Sequence, residues 1–189
     1  MRTLVLLLAM LFALPAAAQT PSRATAVFAG GCFWCTERDF EQAPGVIEAV
    51  SGYTGGARAN PTYENHAGHV EAVRVTYDPR RVSYRQLVDR FWRTIDPTDL
   101  DGQFCDQGPS YAPAIFVAGP AERAQAEASR AAAQTALGRR IAVPIRPASR
   151  FWLAEGYHQN YATRNALRYR VYRAGCGRDA RLRALWGGR

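Results

Sequence analysis

The sequence predicts an α/β fold: a two-layer sandwich with a mixed β-sheet flanked by helices and an irregular C-terminal tail. Strand and helix patterns alternate along residues 24–172, which is typical of a sheet covered by helices. Hydrophobic residues make up 48% of the chain, enough for one well-formed core. The sequence has no internal repeat and no low-complexity linker, so nothing in it indicates a second domain.

The first unit is a strand, a glycine turn and a helix. Residues 24–29 (ATAVFA) form a short apolar run that stops at Gly30 and Gly31, and residues 33–42 carry apolar side chains among charges. We therefore expect Cys32 at the start of this helix.

Two strands follow, separated by a polar loop. The pattern predicts a strand at residues 46–53, a loop at 57–69 and a second strand, VEAVRVTY, at 70–77. In the second strand Glu71 shares one face with apolar residues such as Val73, because side chains alternate with a period of two. A carboxyl group is thus expected against the core.

The middle of the chain has the clearest helix signals. Ser83 and Gln86 make a capping box for a helix that runs to Ile95. Pro120 and Gly138 mark the start and end of an alanine-rich helix. The segments between these helices are predicted as a loop at 96–110 and a strand at 111–119.

The C-terminal part has weaker signals. We expect short strands at residues 141–145 and around Phe151, then a helix at 155–172. The tail at 173–189 is predicted to be irregular with a short helical turn.

Residues 1–18 have the features of a secretory signal peptide: a charge at Arg2, an apolar run and then small residues. The apolar run is too short to span a bilayer. We expect cleavage near Ala18, a short leader at 19–24 and a single catalytic domain at 25–189. The mature chain is expected in the periplasm or secreted, without stable membrane insertion.

The formal charge of +8 reflects 24 basic residues, all of them arginine. The arginines are scattered along the chain and form no basic stripe interleaved with aromatic residues. The charge therefore indicates a solvated surface rather than nucleic-acid binding.

Cys32 and Cys35 form a C-x-x-C pair, and Cys105 and Cys176 complete a set of four cysteines. The pair alone is compatible with thiol–disulfide exchange, with one reactive thiol, with half of a zinc site or with a structural bridge. Zinc is disfavoured because no second C-x-x-C exists and the other cysteines and the histidines lack ligand spacing. We expect the helix N-terminus to lower the pKa of Cys32, because its backbone N–H groups stabilise a thiolate.

Glu71 is the candidate acid. Burial on an apolar strand face raises the pKa of a carboxyl group, which makes Glu71 a neutral proton donor. The alternative is an ion pair with an arginine such as Arg74 or Arg38. A thiolate beside a neutral acid suits attack on an electrophile whose oxygen must gain protons as it leaves, and a sulfoxide is such an electrophile.

Five sequence blocks carry a resemblance to a known family. They are GGCFWCTE, SGYTGG, NPTYENHAGHVEAVRVTYDP, QFCDQGPSYAPAIF and AEGYHQNY, in this order over nearly all of the mature chain. In these blocks the sequence resembles methionine sulfoxide reductase A. The resemblance implies reduction of the S epimer of methionine sulfoxide, free or in proteins, on a two-layer α/β sandwich without a metal or an organic cofactor.

The resemblance also implies roles for single residues. Cys32 matches the nucleophile and Glu71 the acid that protonates the sulfoxide oxygen. His66, His69 and His158 lie in matching blocks and are expected to be structural. The other matches are Phe33 and Trp34 around the substrate methyl group, Tyr63 and Tyr111 as phenols that bond the oxygen, and Asp106 as a polar residue lining the site.

The attack implies a sulfenic acid on Cys32, which a second thiol condenses to a disulfide and an external dithiol then reduces. The sequence departs here from the commonest family pattern, because Cys35 replaces the glycine that follows Trp34. The candidate resolving thiols are Cys176, on a flexible tail, Cys35, and Cys105, as a relay to Cys176. A structural bridge between Cys105 and Cys176 is the alternative.

The expected partners are oxidised methionine and a thioredoxin-like dithiol that acts as external electron donor. The protein is expected to be a monomer without cofactor. Two other classes remain open: a C-x-x-C thiol–disulfide oxidoreductase of the cell envelope, and a secreted binding module held by two disulfides.

Overall fold

The computed structural model describes residues 23–187. The predicted signal peptide and most of the predicted leader lie outside the described residues. Within residues 23–187, no helix has the length and apolar character needed to cross a membrane.

The described residues form strands and helices that alternate along much of the chain. The strands are β1 Ala24–Ala29, β2 Val46–Thr54, β3 Val70–Tyr77, β4 Gly102–Gln103, β5 Asp106–Gln107, β6 Ala114–Val117, β7 Ile145–Pro147 and β8 Trp152–Leu153. The helices are α1 Phe33–Glu41, α2 Tyr84–Thr94, α3 Pro120–Leu137, α4 Tyr161–Arg164, α5 Ala166–Gly175 and α6 Arg178–Trp186, with a short 3-10 helix at Pro109–Tyr111.

A six-stranded mixed sheet lies at the centre, in the order β7-β6-β1-β3-β2-β8, and β4 pairs with β5 in a separate hairpin. Neighbouring strands of the large sheet are antiparallel, except β6 and β7, which are parallel. The predicted α/β class with a mixed sheet is confirmed.

The two faces of the sheet are covered differently. On one face, residues such as Phe28, Val73 and Ile115 pack in a large buried cluster with Phe91 of α2. On the other face, a small apolar cluster is covered by Phe151, from the loop before β8. The helices on the first face and the sheet form the two layers.

The helix signals of the middle segment are confirmed. Ser83 Oγ accepts the Gln86 N–H at 3.2 Å, and Gln86 Oε1 accepts the Ser83 N–H at 2.8 Å, which completes the capping box. Pro120 begins α3, and Gly138 ends it in the left-handed region with φ 69°.

The C-terminal part differs from the prediction. Residues 155–160 are not helical, with a turn at 156–160, and the tail predicted to be irregular contains α6. Gly177, with φ 65°, allows the chain to change direction between α5 and α6. Leu185 and Trp186 are buried, so α6 is stabilised by tertiary packing that its own weak apolar periodicity does not reveal.

Three shorter predictions also need correction. The strand expected at 141–145 is displaced to β7, because Pro144 has no N–H to donate to a sheet. The strand expected at 111–119 is reduced to β6, which follows Pro113. The segment predicted as a loop at 96–110 contains the β4–β5 hairpin.

Candidate active site

Cys32 lies at the N-cap position of α1, directly behind the turn at Gly30 and Gly31. Gly31 has φ +79°, and a Cβ added there would lie 2.5 Å from the Cβ of Gln103. This turn therefore requires glycine. As predicted, it delivers Cys32 to the helix start, where its side chain is 5% exposed.

The pKa of the Cys32 thiol is raised well above its ordinary value, chiefly by burial. Cys35 and Glu71 raise it further, whereas the neighbouring Tyr172 hydroxyl lowers it. The lowered pKa expected from the helix N-terminus is wrong, because desolvation and acidic neighbours outweigh the backbone N–H groups. Cys32 therefore rests as a thiol whose proton must leave before the sulfur attacks.

Cys35 is the second free thiol and is 1% exposed, packed with Tyr161 of α4. A hydrogen bond from Cys32 lowers the pKa of Cys35 to about 7, and the nearby Arg178 and Arg173 favour its thiolate against burial. The negative charge of the resting pair is thus held on Cys35.

Glu71 lies opposite Tyr53 in the β2–β3 register and is 2% exposed. Its Oε2 accepts the backbone N–H of Phe33 at 2.9 Å, which holds the carboxyl group beside the start of α1. Burial raises the pKa of Glu71 to about 8, assisted by the negative charges of Asp106 and Cys35. None of the ion pairs within residues 23–187 involves Glu71, so the neutral acid describes it better than an arginine pair.

A cavity of about 140 Å³ opens between these groups. It brings together the predicted nucleophile, the predicted acid and every residue expected to contact substrate. Its lining consists of Cys32, Phe33, Trp34, Tyr63, Glu71, Asp106, Tyr111 and Tyr172. Of these, Tyr172 was not predicted.

The two expected phenols meet at the cavity. The Tyr111 hydroxyl donates to the Tyr63 hydroxyl, and burial raises the pKa of both. Tyr63 is held by its backbone N–H, which donates to Glu155 Oε1 at 2.8 Å. Because both phenols stay protonated at neutral pH, they are able to donate to an oxygen atom in the cavity.

The aromatic wall is fixed by stacking and by one hydrogen bond. The Trp34 ring is stacked on Tyr161 with centroids 3.7 Å apart and planes inclined by 5°. Trp34 Nε1–H donates to Nδ1 of the buried His158 at 3.0 Å. Burial lowers the pKa of His158, which keeps Nδ1 available as an acceptor.

The other histidines bond to backbone carbonyls. His66 Nδ1 lies 3.1 Å from Thr62 O, and His69 Nε2 lies 2.9 Å from Arg58 O. These contacts hold the loop between β2 and β3, in agreement with the structural roles expected for the histidines.

Tyr172 of α5 reaches the cavity from the C-terminal part of the chain. Its hydroxyl donates to Asp106 Oδ2 and is also hydrogen-bonded to Cys32. Tyr172 was missed because the segment after residue 155 has weak helical periodicity and no matching block contains this residue. Its spacing of four from Cys176 is the one available signal, since it places both on one helix face.

Cys105 and Cys176 form a disulfide that joins the β4–β5 hairpin to the end of α5. This is the pairing that the sequence left open as a structural bridge. The two sulfur atoms and an Asp106 carboxylate oxygen lie within 4.8 Å of one another. Because the sulfurs are bonded to each other, this group is not a thiolate metal site in the present state.

Comparisons with known proteins agree with this geometry. A family model described as peptide methionine sulfoxide reductase matches residues 24–189. A protein of Caulobacter vibrioides described as peptide methionine sulfoxide reductase MsrA 2 is 54% identical over 100% of both chains. Its namesake from Rhizobium meliloti is 52% identical over 93% of this chain and 89% of the relative.

Solved structures give the same result for the fold. Mxr1 from Saccharomyces cerevisiae in its reduced form has a TM-score of 0.72 at 28% identity, covering 76% of this chain and 86% of that chain. Methionine sulfoxide reductase A of Corynebacterium diphtheriae has a TM-score of 0.68 at 32% identity, covering 78% of this chain and 77% of that chain.

Proposed function

The chain belongs to the peptide methionine sulfoxide reductase family and reduces methionine sulfoxide to methionine, and from that premise we propose that Cys32 is its nucleophile and Glu71 its acid. The observation that carries this assignment is the cavity, in which a thiol, a neutral carboxyl group, two phenols and two aromatic rings converge. The Cys32 sulfur attacks the sulfoxide sulfur, while Glu71 gives a proton to the oxygen.

Different walls of the cavity suit different parts of the substrate. Phe33 and Trp34 form an apolar surface beside the sulfur that suits a methyl group. Tyr63 and Tyr111 supply hydrogen bonds to the oxygen, which gains negative charge as the sulfur is attacked. A thioether would lack the oxygen that Tyr63 and Tyr111 bond, which suits release of the product.

Cys35 is the thiol that we assign to resolve the sulfenic acid on Cys32. It is free and hydrogen-bonded to Cys32, and with a pKa of about 7 it is substantially ionised at neutral pH. Cys105 and Cys176 are already joined to each other, so neither offers a thiol in this state. Condensation of the Cys35 thiol with the sulfenic acid forms the Cys32–Cys35 disulfide and releases water.

An external thioredoxin-like dithiol then restores the enzyme by thiol–disulfide exchange, without cofactor or metal. The N-terminal features of the sequence support export to the periplasm or the medium, where the substrates would be oxidised envelope or secreted proteins and free methionine sulfoxide. Thiol–disulfide exchange between proteins as the main function is disfavoured, because both cysteines of the C-x-x-C pair are buried.

Single-turnover reduction tests the assignment of the cysteines. The enzyme is mixed without reductant with each epimer of methionine sulfoxide, and oxidised cysteines are mapped by peptide mass spectrometry. The wild type should form about one methionine per chain from the S epimer and a Cys32–Cys35 disulfide. Cys32→Ser should form none, whereas Cys35→Ser should still form methionine but lose multiple turnover with a dithiol donor.

Two results would contradict the assignment. Methionine formation by Cys32→Ser would remove the nucleophile. A disulfide between Cys32 and Cys105 or Cys176 in the wild type would transfer the resolving role from Cys35 to the second pair.

A further inference from the structure

Tyr172 lines the cavity, but neither the nucleophilic attack by Cys32 nor the protonation by Glu71 involves it. Its phenol lies between the thiol of Cys32 and the carboxylate of Asp106, and its ring packs edge-on against Trp34 with centroids 5.9 Å apart. All four residues line the same cavity. The phenol O–H donates to Asp106, so the phenol oxygen keeps lone pairs that can accept the proton of the Cys32 thiol, which at rest donates to Cys35.

The resting state of Cys32 makes such a connection necessary. Cys32 is a buried thiol, so its proton must be removed as the sulfur attacks, and the oxygen of the substrate needs two protons to leave as water. Glu71 supplies one of them. The second is available from the Cys32 thiol if the proton is transferred to a group that also faces the substrate.

We propose that Tyr172 is a catalytic residue whose phenol relays the Cys32 proton to Asp106, and that the Cys105–Cys176 disulfide holds the phenol and the carboxylate together. The Cys32 proton moves to the phenol oxygen as the phenol proton moves to the carboxylate. Asp106 then delivers it to the sulfoxide oxygen. This proposal rests on the proposed function of Cys32 and Glu71.

The atoms and electrons of the step balance. A bond forms between the Cys32 sulfur and the substrate sulfur, and the sulfur–oxygen bond breaks as the oxygen receives the protons of Glu71 and Asp106 and leaves as water. That water then attacks the Cys32 sulfur, returns one proton to Glu71 and displaces the thioether. Cys32 is oxidised by two electrons to the sulfenic acid, and the substrate sulfur is reduced by two.

Other ionisable groups face Cys32, but none of them suits the transfer as well as Asp106. Cys35 is in hydrogen-bonding contact, but it does not line the cavity, so a proton passed to it moves away from the substrate. Glu71 is already protonated at neutral pH and Tyr63 holds its own proton. Burial raises the pKa of Asp106, with Tyr172 and Arg178 opposing, which makes its carboxylate a stronger base than an exposed one.

The disulfide lies next to both Asp106 and Tyr172 in the chain. Cys105 directly precedes Asp106, and Cys176 follows Tyr172 by one helical turn. The Cys105–Cys176 bond therefore joins the same two segments as the hydrogen bond between Tyr172 and Asp106, and it limits the separation of hairpin and helix. A cross-link placed in this way preorganises the phenol for proton transfer.

Three variants test the relay in single-turnover reduction at saturating methionine sulfoxide: Tyr172→Phe, Asp106→Asn and the double variant. Each single variant should lower the limiting rate about 10- to 100-fold, as expected for loss of general acid–base catalysis. The double variant should be no slower than the slower single one, because the two groups act as a unit. Tyr84→Phe is the matched control, since the Tyr84 hydroxyl is buried, has no partner among the described residues and does not line the cavity.

Alkylation of Cys32 separates proton transfer from electrostatics. Asp106→Asn removes a negative neighbour, so it should not slow alkylation, although it slows sulfoxide reduction. If charge alone mattered, this variant would reduce sulfoxide at least as fast as the wild type, and the relay would be wrong. An unchanged limiting rate with a higher half-saturating substrate concentration would assign Asp106 to substrate binding and also overturn it.

The remaining outcomes distinguish the relay from the proposed function. Wild-type rates in Tyr172→Phe, with an active control, would overturn the relay and leave Cys32 as nucleophile. Loss of single-turnover reduction in Cys35→Ser would make Cys35 the base instead of Asp106. If the Cys105–Cys176 disulfide holds the phenol and the carboxylate together, Cys105→Ala with Cys176→Ala should lower the limiting rate about 3- to 10-fold. An unchanged rate would contradict this role of the disulfide.

Discussion

The two cysteine pairs of this protein have opposite surroundings. Cys32 and Cys35 are free, three residues apart and 5% and 1% exposed, at the start of a helix among carboxyl and guanidinium groups. Cys105 and Cys176 are joined across a sequence separation of 71, and Cys105 is exposed. Four identical side chains thus differ in bonding state and in burial according to their place in the fold.

The topology of each pair sets what its disulfide does to the chain. A bond between Cys32 and Cys35 closes a very small loop, so it constrains the unfolded chain little and is suited to form and break in each cycle. The bond between Cys105 and Cys176 closes a long loop and constrains the unfolded chain much more. The first pair is therefore suited to chemistry and the second to stability.

Removal of the second disulfide should have the largest effect on stability. For a sequence separation of 71, the chain-entropy model gives a loss of about 4 kcal/mol in the free energy of unfolding for Cys105→Ala with Cys176→Ala. Urea unfolding of both proteins without reductant measures this loss.

The wild type in the presence of a dithiol serves as control and should approach the variant. A difference below about 1 kcal/mol would mean that the disulfide does not act as a cross-link of the folded chain.

Glu71→Gln should have the next largest effect, on the reactive pair alone. Gln keeps an oxygen for the Phe33 N–H but has no proton to give, so single-turnover reduction should fall about 100-fold at neutral pH. At neutral pH, where Glu71 is protonated, alkylation of Cys32 should stay near the wild-type rate. Above about pH 8 the variant should be alkylated faster, because the ionised Glu71 of the wild type raises the pKa of Cys32. The exposed Glu48→Gln is the matched control and should change neither rate.

The pH dependence of Glu71 has a defined sign. Its pKa is raised from 4.5 to about 8, so the folded state holds the proton more tightly than the unfolded state. The resulting stability is fully present below 4.5 and is lost as the pH rises through about 8. Glu71→Gln does not lose this stability, so the difference in the free energy of unfolding should shift in favour of the variant between pH 4.5 and about 8. Single-turnover reduction by the wild type should decline above about pH 8, as Glu71 loses its proton. Parallel stability curves for both proteins would contradict burial of the neutral acid.

The sequence predicted the reactive pair much better than the second pair, for a physical reason. The position of Cys32 depends on a local glycine turn, and that of Glu71 on the period of a single strand, so both follow from short stretches of sequence. Tyr63 and Tyr111 could be assigned only through the family resemblance, because loops have no periodicity. Tyr172 depends on how the C-terminal helices dock, which the local pattern does not encode.

The pKa of Cys32 shows the limit of the local argument even where the position was right. Its helix N-terminus predicted a thiolate, whereas burial and the neighbours Cys35 and Glu71 favour the thiol. Cys35 is the second cysteine of the C-x-x-C pair, whereas Glu71 is brought close to Cys32 by the tertiary structure. Position can be derived from local sequence, but electrostatics requires the complete surroundings.

The smallest expected effect concerns the charge on Cys35. Arg178 is 2% exposed, donates to Thr94 O at 2.7 Å and lies 3.8 Å from the Asp39 carboxylate, one helical turn beyond Cys35 on α1. Its positive charge lowers the pKa of Cys35, as does that of Arg173.

Arg178→Gln should therefore raise the pKa of Cys35, and a rise of about one unit from about 7 would decrease its thiolate fraction at pH 7 about fivefold. Titration of thiolate ultraviolet absorbance measures the shift. Arg173→Gln, at a less buried position, should shift the titration in the same direction and serves as the test if Arg178→Gln does not fold. The exposed Arg168→Gln is the control and should not shift the titration. If neither arginine moves the titration, the thiolate is stabilised by the Cys32 hydrogen bond alone, and the charges of the C-terminal helices do not act on Cys35.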